Sequence, residues 1–261
     1  NPSIEVFPTS EAVHDAAAER FVTLANAAVT ARGRFVVALS GGATPRPMYE
    51  RLASPGLAAR VPWAAVHVFW SDERFVRPGH PDSNQRMARH ALLDRVPIPR
   101  DNVHPVDTGL TPEASAADYA ASLSHALGGG GLDLVLLGLG ADGHTASLFP
   151  GNAAAQVERR GAVAAYVPAL DAWRISLSLG ELSTARHLVF LVTAPDKARA
   201  LADVRRGRED LPAARIHPAG GQVDWLLDRA TADALVEAEA ALAEAEAAPA
   251  AGADELKRRG G

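Results

Sequence analysis

Cysteine is absent from this chain of 261 residues, and aromatic side chains make up only 5% of it. The lack of cysteine excludes a disulfide framework, a thiolate nucleophile and a zinc site built on sulfur. No run of about 18 apolar residues occurs, and Asn1-Pro-Ser-Ile-Glu5 lacks the basic start of a signal peptide. We therefore expect a cytoplasmic protein with no membrane partner.

An excess of positive charge is also lacking, since the formal net charge is −5. Residues 230–261 contain seven acidic and three basic residues, which leaves 24 acidic and 23 basic residues in 1–229. Most of the chain is therefore nearly neutral. Nucleic acid is not expected as a partner, because binding to nucleic acid needs a basic surface. A small anionic ligand is not excluded, because the nearly neutral chain carries no electrostatic field that would repel it.

Apolar runs alternate with helical patterns along the chain. The candidate strands lie at 34–39, 66–70, 132–137, 174–179, 187–192 and 224–227. The candidate helices lie at 11–31, 45–52, 83–93, 112–127, 195–204 and 230–247. Several strands are apolar throughout, which is typical of a sheet covered on both faces. We predict a single α/β domain of residues 1–247 with a mostly parallel sheet, and a disordered low-complexity tail at 248–261.

Three loops that follow predicted strands carry the candidate chemistry, because ligands bind beyond the carboxyl ends of parallel strands. The first is Ser40-Gly-Gly-Ala-Thr-Pro45. With Thr44 as N-cap and Pro45 in the first helical turn, its backbone N–H groups point to a phosphate site, to which Arg46 adds a charged donor. The alternative is an ordinary capped turn. A Walker A lysine is missing, so a nucleoside triphosphate is not implied.

The second loop is Ser71-Asp-Glu-Arg74. Some of three successive ionisable side chains at a strand end should face the cleft. We expect Asp72 and Arg74 to do so. Arginine is the natural bidentate partner of a phosphate or carboxylate. A solvated charge cluster held by internal ion pairs is the alternative.

The third loop is Gly138-Leu-Gly-Ala-Asp-Gly-His144. Its glycines match the dinucleotide pattern G-x-G-x-x-G, but Pro150 leaves little room for the helix that this pattern requires. What remains is Asp142 and His144, an imidazole that a carboxylate orients as a general base. A purely structural histidine is the alternative. A metal site is not expected, because this pair supplies too few ligands.

Taken together, these segments resemble the family of 6-phosphogluconolactonases and glucosamine-6-phosphate deaminases over about residues 4–235. The resemblance rests on 39–45, on 69–75 with His80-Pro-Asp-Ser-Asn84, and on 137–150. It implies hydrolysis of 6-phosphoglucono-1,5-lactone to 6-phosphogluconate in the oxidative pentose phosphate pathway, without metal or organic cofactor. It also implies a six-stranded, mostly parallel, Rossmann-like sheet with helices on both faces.

The resemblance also implies roles for individual residues. His144 matches the family's base, supported by Asp142. The positions associated with the substrate phosphate are Ser40, Gly41, Gly42, Thr44, Arg74 and Lys197. Lys197 follows Thr193-Ala-Pro-Asp, where similar proteins have Thr-Gly-Ala-x, so its loop differs from theirs. We further expect Asn84 to bond a sugar hydroxyl, and the amides of Gly140 and Gly143 to stabilise the oxyanion.

Two other functions stay open at this point. Deaminases carry Phe-Asn-Glu-Pro after Asp-Gly-His, whereas Leu148 and Phe149 occupy the Asn and Glu positions here, which favours lactone hydrolysis. A non-catalytic sugar-phosphate sensor needs neither Asp142 nor His144, so their presence favours an enzyme. We expect a small sugar phosphate as the only partner and a monomer, with a weak homodimer as the alternative.

Overall fold

A computed structural model describes residues 2–247, and the predicted disordered tail lies outside them. Six parallel strands form the main sheet in the order β1-β9-β8-β5-β2-β3, and a small antiparallel sheet has the order β4-β7-β6. The strands are β1 Ser3–Phe7, β2 Phe35–Leu39, β3 Val66–Trp70, β4 Asp72–Arg74, β5 Leu134–Leu137, β6 Ala162–Val167, β7 Ala172–Leu177, β8 His187–Val192 and β9 Gln222–Asp228.

Helices connect the strands of the main sheet. They are α1 Ser10–Arg32, α2 Arg46–Leu52, α3 Pro55–Ala58, α4 Asn84–Ala91, α5 Pro112–Leu127, α6 Leu179–Leu182, α7 Ala198–Arg205 and α8 Arg229–Ala247. Local sequence fixes their ends: Thr9 and Thr111 accept amide hydrogen bonds as N-caps of α1 and α5, and Gly33 and Gly128 end these helices with positive φ. Within residues 2–247, no helix is long and apolar enough to cross a membrane.

Both faces of the main sheet are buried, as the apolar strands predict. Along β2, Phe35, Val37 and Leu39 share one core with Phe21 of α1. The intervening residues of β2 belong to a second core that includes Tyr119 of α5. The predicted parallel α/β architecture with helices on both faces is confirmed.

Two strand assignments differ from the sequence-based prediction. The predicted strand at 174–179 pairs as β7 in the small antiparallel sheet, and its last residue, Leu179, begins α6. The sixth strand of the main sheet is instead β1, which pairs with β9 at the edge. Its sequence Ser-Ile-Glu-Val-Phe alternates because the strand is only partly buried, so it lacks the continuous apolar run of the central strands.

The strand order decides which loops meet. Strands β8, β5, β2 and β3 are consecutive neighbours and parallel, so the loops that follow them leave the sheet at the same edge. The loop beginning at Ser40, the loop beginning at Gly138 and the segment beginning at Thr193 therefore converge, with β4 directly after β3.

We predict that Gly180→Ala lowers the free energy of unfolding by roughly 1–3 kcal/mol, because an added Cβ lies 1.8 Å from the carbonyl oxygen of Glu158. Gly56 is the matched control. It is also the second residue of a four-residue helix, but a Cβ there meets nothing within 4 Å. Urea denaturation followed by tryptophan fluorescence measures both variants, and equal midpoints would contradict the prediction.

Candidate active site

A cleft of about 270 Å³ lies at the carboxyl edge of the main sheet. Residues 40–45, 137–140 and 191–194 line it, together with Asp72, Arg74, Asn84, His144, Ala146 and Lys197. The three loops singled out from the sequence thus share one cavity with the segment after β8.

The first wall is the loop after β2. Tyr49 of α2 holds it, because the Ser40 amide donates to the Tyr49 hydroxyl (3.0 Å) and that hydroxyl donates to the Ser40 carbonyl (2.8 Å). A side chain at Gly41 has no room, since its Cβ would lie 1.8 Å from Asn84 Oδ1. Gly42 has a φ of +94°, which favours glycine. The loop backbone is therefore positioned by its neighbours as well as by its own sequence.

One expectation for this loop is wrong, and another stays a prediction. Helix α2 begins at Arg46 with Pro45 as N-cap, and no side chain caps it, so Thr44 lines the cleft instead of capping. Pro45 already has helical backbone angles (φ −79°, ψ −15°), which displaces Thr44 from the N-cap position. Arg46 lies beside the cleft, in an adjoining hollow that Gly42 and Arg74 also line, and its Nε donates to Glu50 Oε1 (2.9 Å). Its contact with a phosphate stays a prediction.

The second wall begins with a buried carboxylate that the sequence analysis did not assign. Glu73 Oε1 accepts the amides of Arg74 and Asn84, and Oε2 accepts the Gln85 amide and the Ser83 hydroxyl, at 2.7–3.0 Å. Burial raises the pKa of Glu73, and these four donors favour the ionised form and limit the rise. Glu73 thus joins β4 to the first turn of α4.

Asp72 and Asn84 are bound to other parts of the site. Asn84 Nδ2 donates to the Asp72 carbonyl (2.9 Å), while Ser147 Oγ donates to Asp72 Oδ2 (2.6 Å). Both residues line the cleft, and both are almost fully buried. Their hydrogen bonds join β4, α4 and the loop after β5 to one another, and the oxygen of Asn84 lies against Gly41. The two residues shape the cleft wall.

The third wall presents an oriented imidazole. Asp142 Oδ1 lies 2.6 Å from His144 Nδ1 and also accepts the His144 amide (3.1 Å). Phe149 stacks on the ring, with centroids 4.3 Å apart and an interplanar angle of 25°. Burial acts to raise the pKa of Asp142, but the hydrogen bonds from His144 outweigh it, so the pKa is lowered. With Nδ1 engaged, Nε2 is the nitrogen left for chemistry in the cleft.

The expected oxyanion donors are already in use. The Gly140 amide donates to the His144 carbonyl (2.8 Å), and the Gly143 amide donates to the Gly140 carbonyl (3.0 Å). These bonds close the loop, so the assignment of the two amides to an oxyanion is wrong. The glycines are needed for space: a Cβ at Gly140 would lie 2.1 Å from His144 Nδ1, and one at Gly143 would lie 2.7 Å from Leu211.

Two cations complete the cleft. Lys197 ends a 3-10 helix, Pro195–Lys197, after β8, and its Nζ lies 3.0 Å from Asp196 Oδ2. Arg74 Nη1 donates to the Asp82 carbonyl (2.8 Å). Because both residues line the same cavity as the loop after β2, an anionic group bound there meets two positive charges and several backbone amides.

The family model described as glucosamine-6-phosphate isomerases/6-phosphogluconolactonase matches residues 8–225. A 6-phosphogluconolactonase of Nostoc sp. is 41% identical over 237 residues, which cover 87% of this chain and 96% of that protein. The structure of 6-phosphogluconolactonase from Trypanosoma cruzi has a TM-score of 0.81 at 30% identity and covers 89% and 96% of the two chains. A monomeric glucosamine-6-phosphate deaminase shares the fold at a TM-score of 0.74 and 20% identity, covering 89% and 99%.

Replacing Glu73 with glutamine is expected to lower the free energy of unfolding by roughly 1–3 kcal/mol, because the new NH₂ group faces donors and leaves one side of the site unsatisfied. Glu50→Gln is the control, since Glu50 is exposed and, within residues 2–247, its ion pair is with Arg46; its expected loss is below about 0.5 kcal/mol. Urea denaturation at neutral pH gives both values. A loss of the same size in the two variants would refute the role assigned to Glu73.

Proposed function

The chain belongs to the family of glucosamine-6-phosphate isomerases and 6-phosphogluconolactonases, and we propose that it hydrolyses 6-phospho-D-glucono-1,5-lactone to 6-phospho-D-gluconate in the oxidative pentose phosphate pathway. The observation that carries the proposal is one cleft that holds an Asp142-oriented histidine together with a glycine-rich loop and two cations. The similarity to named 6-phosphogluconolactonases supports it.

His144 is the proposed general base. Its Nε2 takes a proton from a water molecule whose oxygen attacks the lactone carbonyl carbon, and a tetrahedral oxyanion forms. The oxyanion collapses, the bond from the carbonyl carbon to the ring oxygen breaks, and the imidazolium returns its proton to that oxygen. The product is the open-chain hydroxy acid, which loses its carboxyl proton to solvent. Asp142 orients the ring and supports the imidazolium through the 2.6 Å contact.

Substrate binding is assigned to the loop after β2 and the two cations. Ser40, Gly41, Gly42 and Thr44 offer backbone and hydroxyl donors to the phosphate, and Arg74 and Lys197 neutralise its charge. Binding energy from the phosphate positions the lactone carbonyl beside His144. Asp72 and Asn84 serve this step by holding the cleft wall in place, a more indirect role than the sequence suggested.

A deaminase reaction is the nearest alternative. The resemblance to deaminases depends on an acidic residue after Asp-Gly-His, and Phe149 at that position stacks on the imidazole. Within residues 2–247, Asp142 is the carboxylate that contacts the His144 ring. Lactone hydrolysis therefore agrees better with this site than ring opening of an amino sugar.

The proposal extends to a monomer that acts in the cytoplasm, where phosphorylated sugars are made and used. The cleft brings the proposed base and the proposed phosphate-binding residues together within one chain.

His144→Ala should lower kcat for lactone opening by roughly 10²- to 10⁴-fold with little change in stability, because the general base is removed. His217→Ala, at an exposed position, is the control and should keep wild-type turnover. A coupled dehydrogenase reports 6-phosphogluconate from fresh lactone after subtraction of the spontaneous rate. Undiminished turnover without His144 would contradict the mechanism. Ammonia release from glucosamine 6-phosphate would assign a deaminase, and binding without either reaction would assign a sensor.

Phe149→Leu should lower kcat by roughly 2- to 10-fold with KM unchanged, because the loss of one aromatic contact leaves the imidazole less restrained. Phe149→Tyr is the matched control. It keeps the stacked ring, and because Phe149 is only half-buried and borders a hollow, we expect the added hydroxyl to be accommodated. The lactone assay measures all three proteins. If leucine and tyrosine reduce kcat equally, stacking does not position His144.

A further inference from the structure

Two arginines lie side by side next to the cleft. In the small sheet, β4 and β7 are antiparallel, with Arg74 directly opposite Arg174 and Asp72 opposite Ser176. Directly opposite residues project from the same face of a sheet, so the two guanidinium groups are on the face that carries Asp72. Like charges in this relation are destabilising, and this pair therefore calls for a compensating interaction.

Within residues 2–247, few carboxylates or hydrogen-bond acceptors offset the positive charges of Arg74 and Arg174. Neither guanidinium lies within 4.0 Å of a carboxylate in residues 2–247, whereas Arg20, Arg32 and Arg160 all pair with buried acids. Arg74 donates to one carbonyl. The Nε atoms of both Arg74 and Arg174 are buried without an acceptor. Positive charge that is partly buried and unpaired is unfavourable for the folded protein.

The surrounding charges do not remove this imbalance. Burial lowers the pKa of Arg174, and the positive charge of Arg74 lowers it further, while Asp72, Glu73 and Asp82 act in the opposite direction. Asp72 and Glu73 are occupied by the hydrogen bonds of the cleft wall, and Asp82 is largely exposed. The net direction remains downward, so the environment of Arg174 favours an added negative charge.

We propose that Arg174 is a positioning residue of the anion site, whose charge acts through Arg74 to strengthen binding of a dianionic phosphate in the cleft. Arg174 does not itself line the cleft, whereas Arg74 does. A bound dianion relieves the repulsion between the two guanidinium groups. The free energy gained in this way strengthens the binding of the dianion. The inference rests on the proposed function for the identity of the ligand as a phosphorylated sugar.

The test compares Arg174→Gln and Arg174→Lys with the wild type. KM and kcat are measured on 6-phosphogluconolactone and on unphosphorylated glucono-1,5-lactone. Arg174→Gln should raise KM for the phosphorylated lactone roughly 5- to 30-fold, with kcat within about 2-fold and no change on the unphosphorylated lactone. Arg174→Lys keeps the charge and should stay within about 3-fold of wild type. Arg100→Gln removes an exposed charge elsewhere and should have no effect.

A second readout is thermal stability with and without inorganic phosphate. Phosphate should raise the Tm of wild type more than that of Arg174→Gln, whose Tm without phosphate should equal or exceed that of wild type because repulsion is relieved. A lower Tm together with equal losses on both lactones would make Arg174 structural and overturn the inference, as would a lysine variant that behaves like glutamine. If wild type opens no lactone yet the phosphate effect depends on Arg174, the proposed function fails and the anion site stands.

Discussion

The cleft depends on the hydrogen bonds that satisfy backbone amide and carbonyl groups at the ends of two buried strands. Tyr49 bonds both the amide and the carbonyl of Ser40 after β2. Tyr119 does the same for Trp70 at the end of β3, accepting at 2.6 Å and donating at 2.9 Å. Burial raises the pKa of both phenols, so each keeps the proton it must donate. An unpaired backbone group at such depth is costly, and one hydroxyl here satisfies two.

From these fixed strand ends a chain of polar contacts runs across the site. Ser147 bonds Asp72, Asp72 accepts from Asn84, and Asn84 lies against Gly41. The main sheet, the small sheet, α4 and the loop after β2 are thus held in one arrangement. Because Asp72, Asn84 and Ser147 are buried, the positions of the loop after β2 and of the histidine loop are set before any ligand arrives, which is the condition for using binding energy in catalysis.

The sequence was sufficient for the architecture and for the three loops, because strands buried on both faces have continuous apolar runs and parallel strands end at one edge. It was insufficient wherever a role depends on long-range pairing. In the sequence alone, Glu73 resembles a surface acid, because its contacts with α4 exist only in the folded protein. Tyr49 likewise resembles an ordinary core aromatic residue. The amide of Gly140 was misassigned for a related reason: a local pattern places a residue in a loop but does not show where its donor points.

Asp142 has a further consequence for turnover. Its carboxylate stays ionised beside the imidazole, with a lowered pKa. When a lactone is opened at Nε2 of His144, as proposed, the product gains a carboxylate on the opposite side of the imidazole from Asp142. In the proposed binding mode the phosphate is the same in substrate and product, so its attraction to Arg74 and Lys197 retains both alike. Repulsion between the carboxylate of the product and that of Asp142 acts on the product and not on the substrate. It therefore favours release of the product.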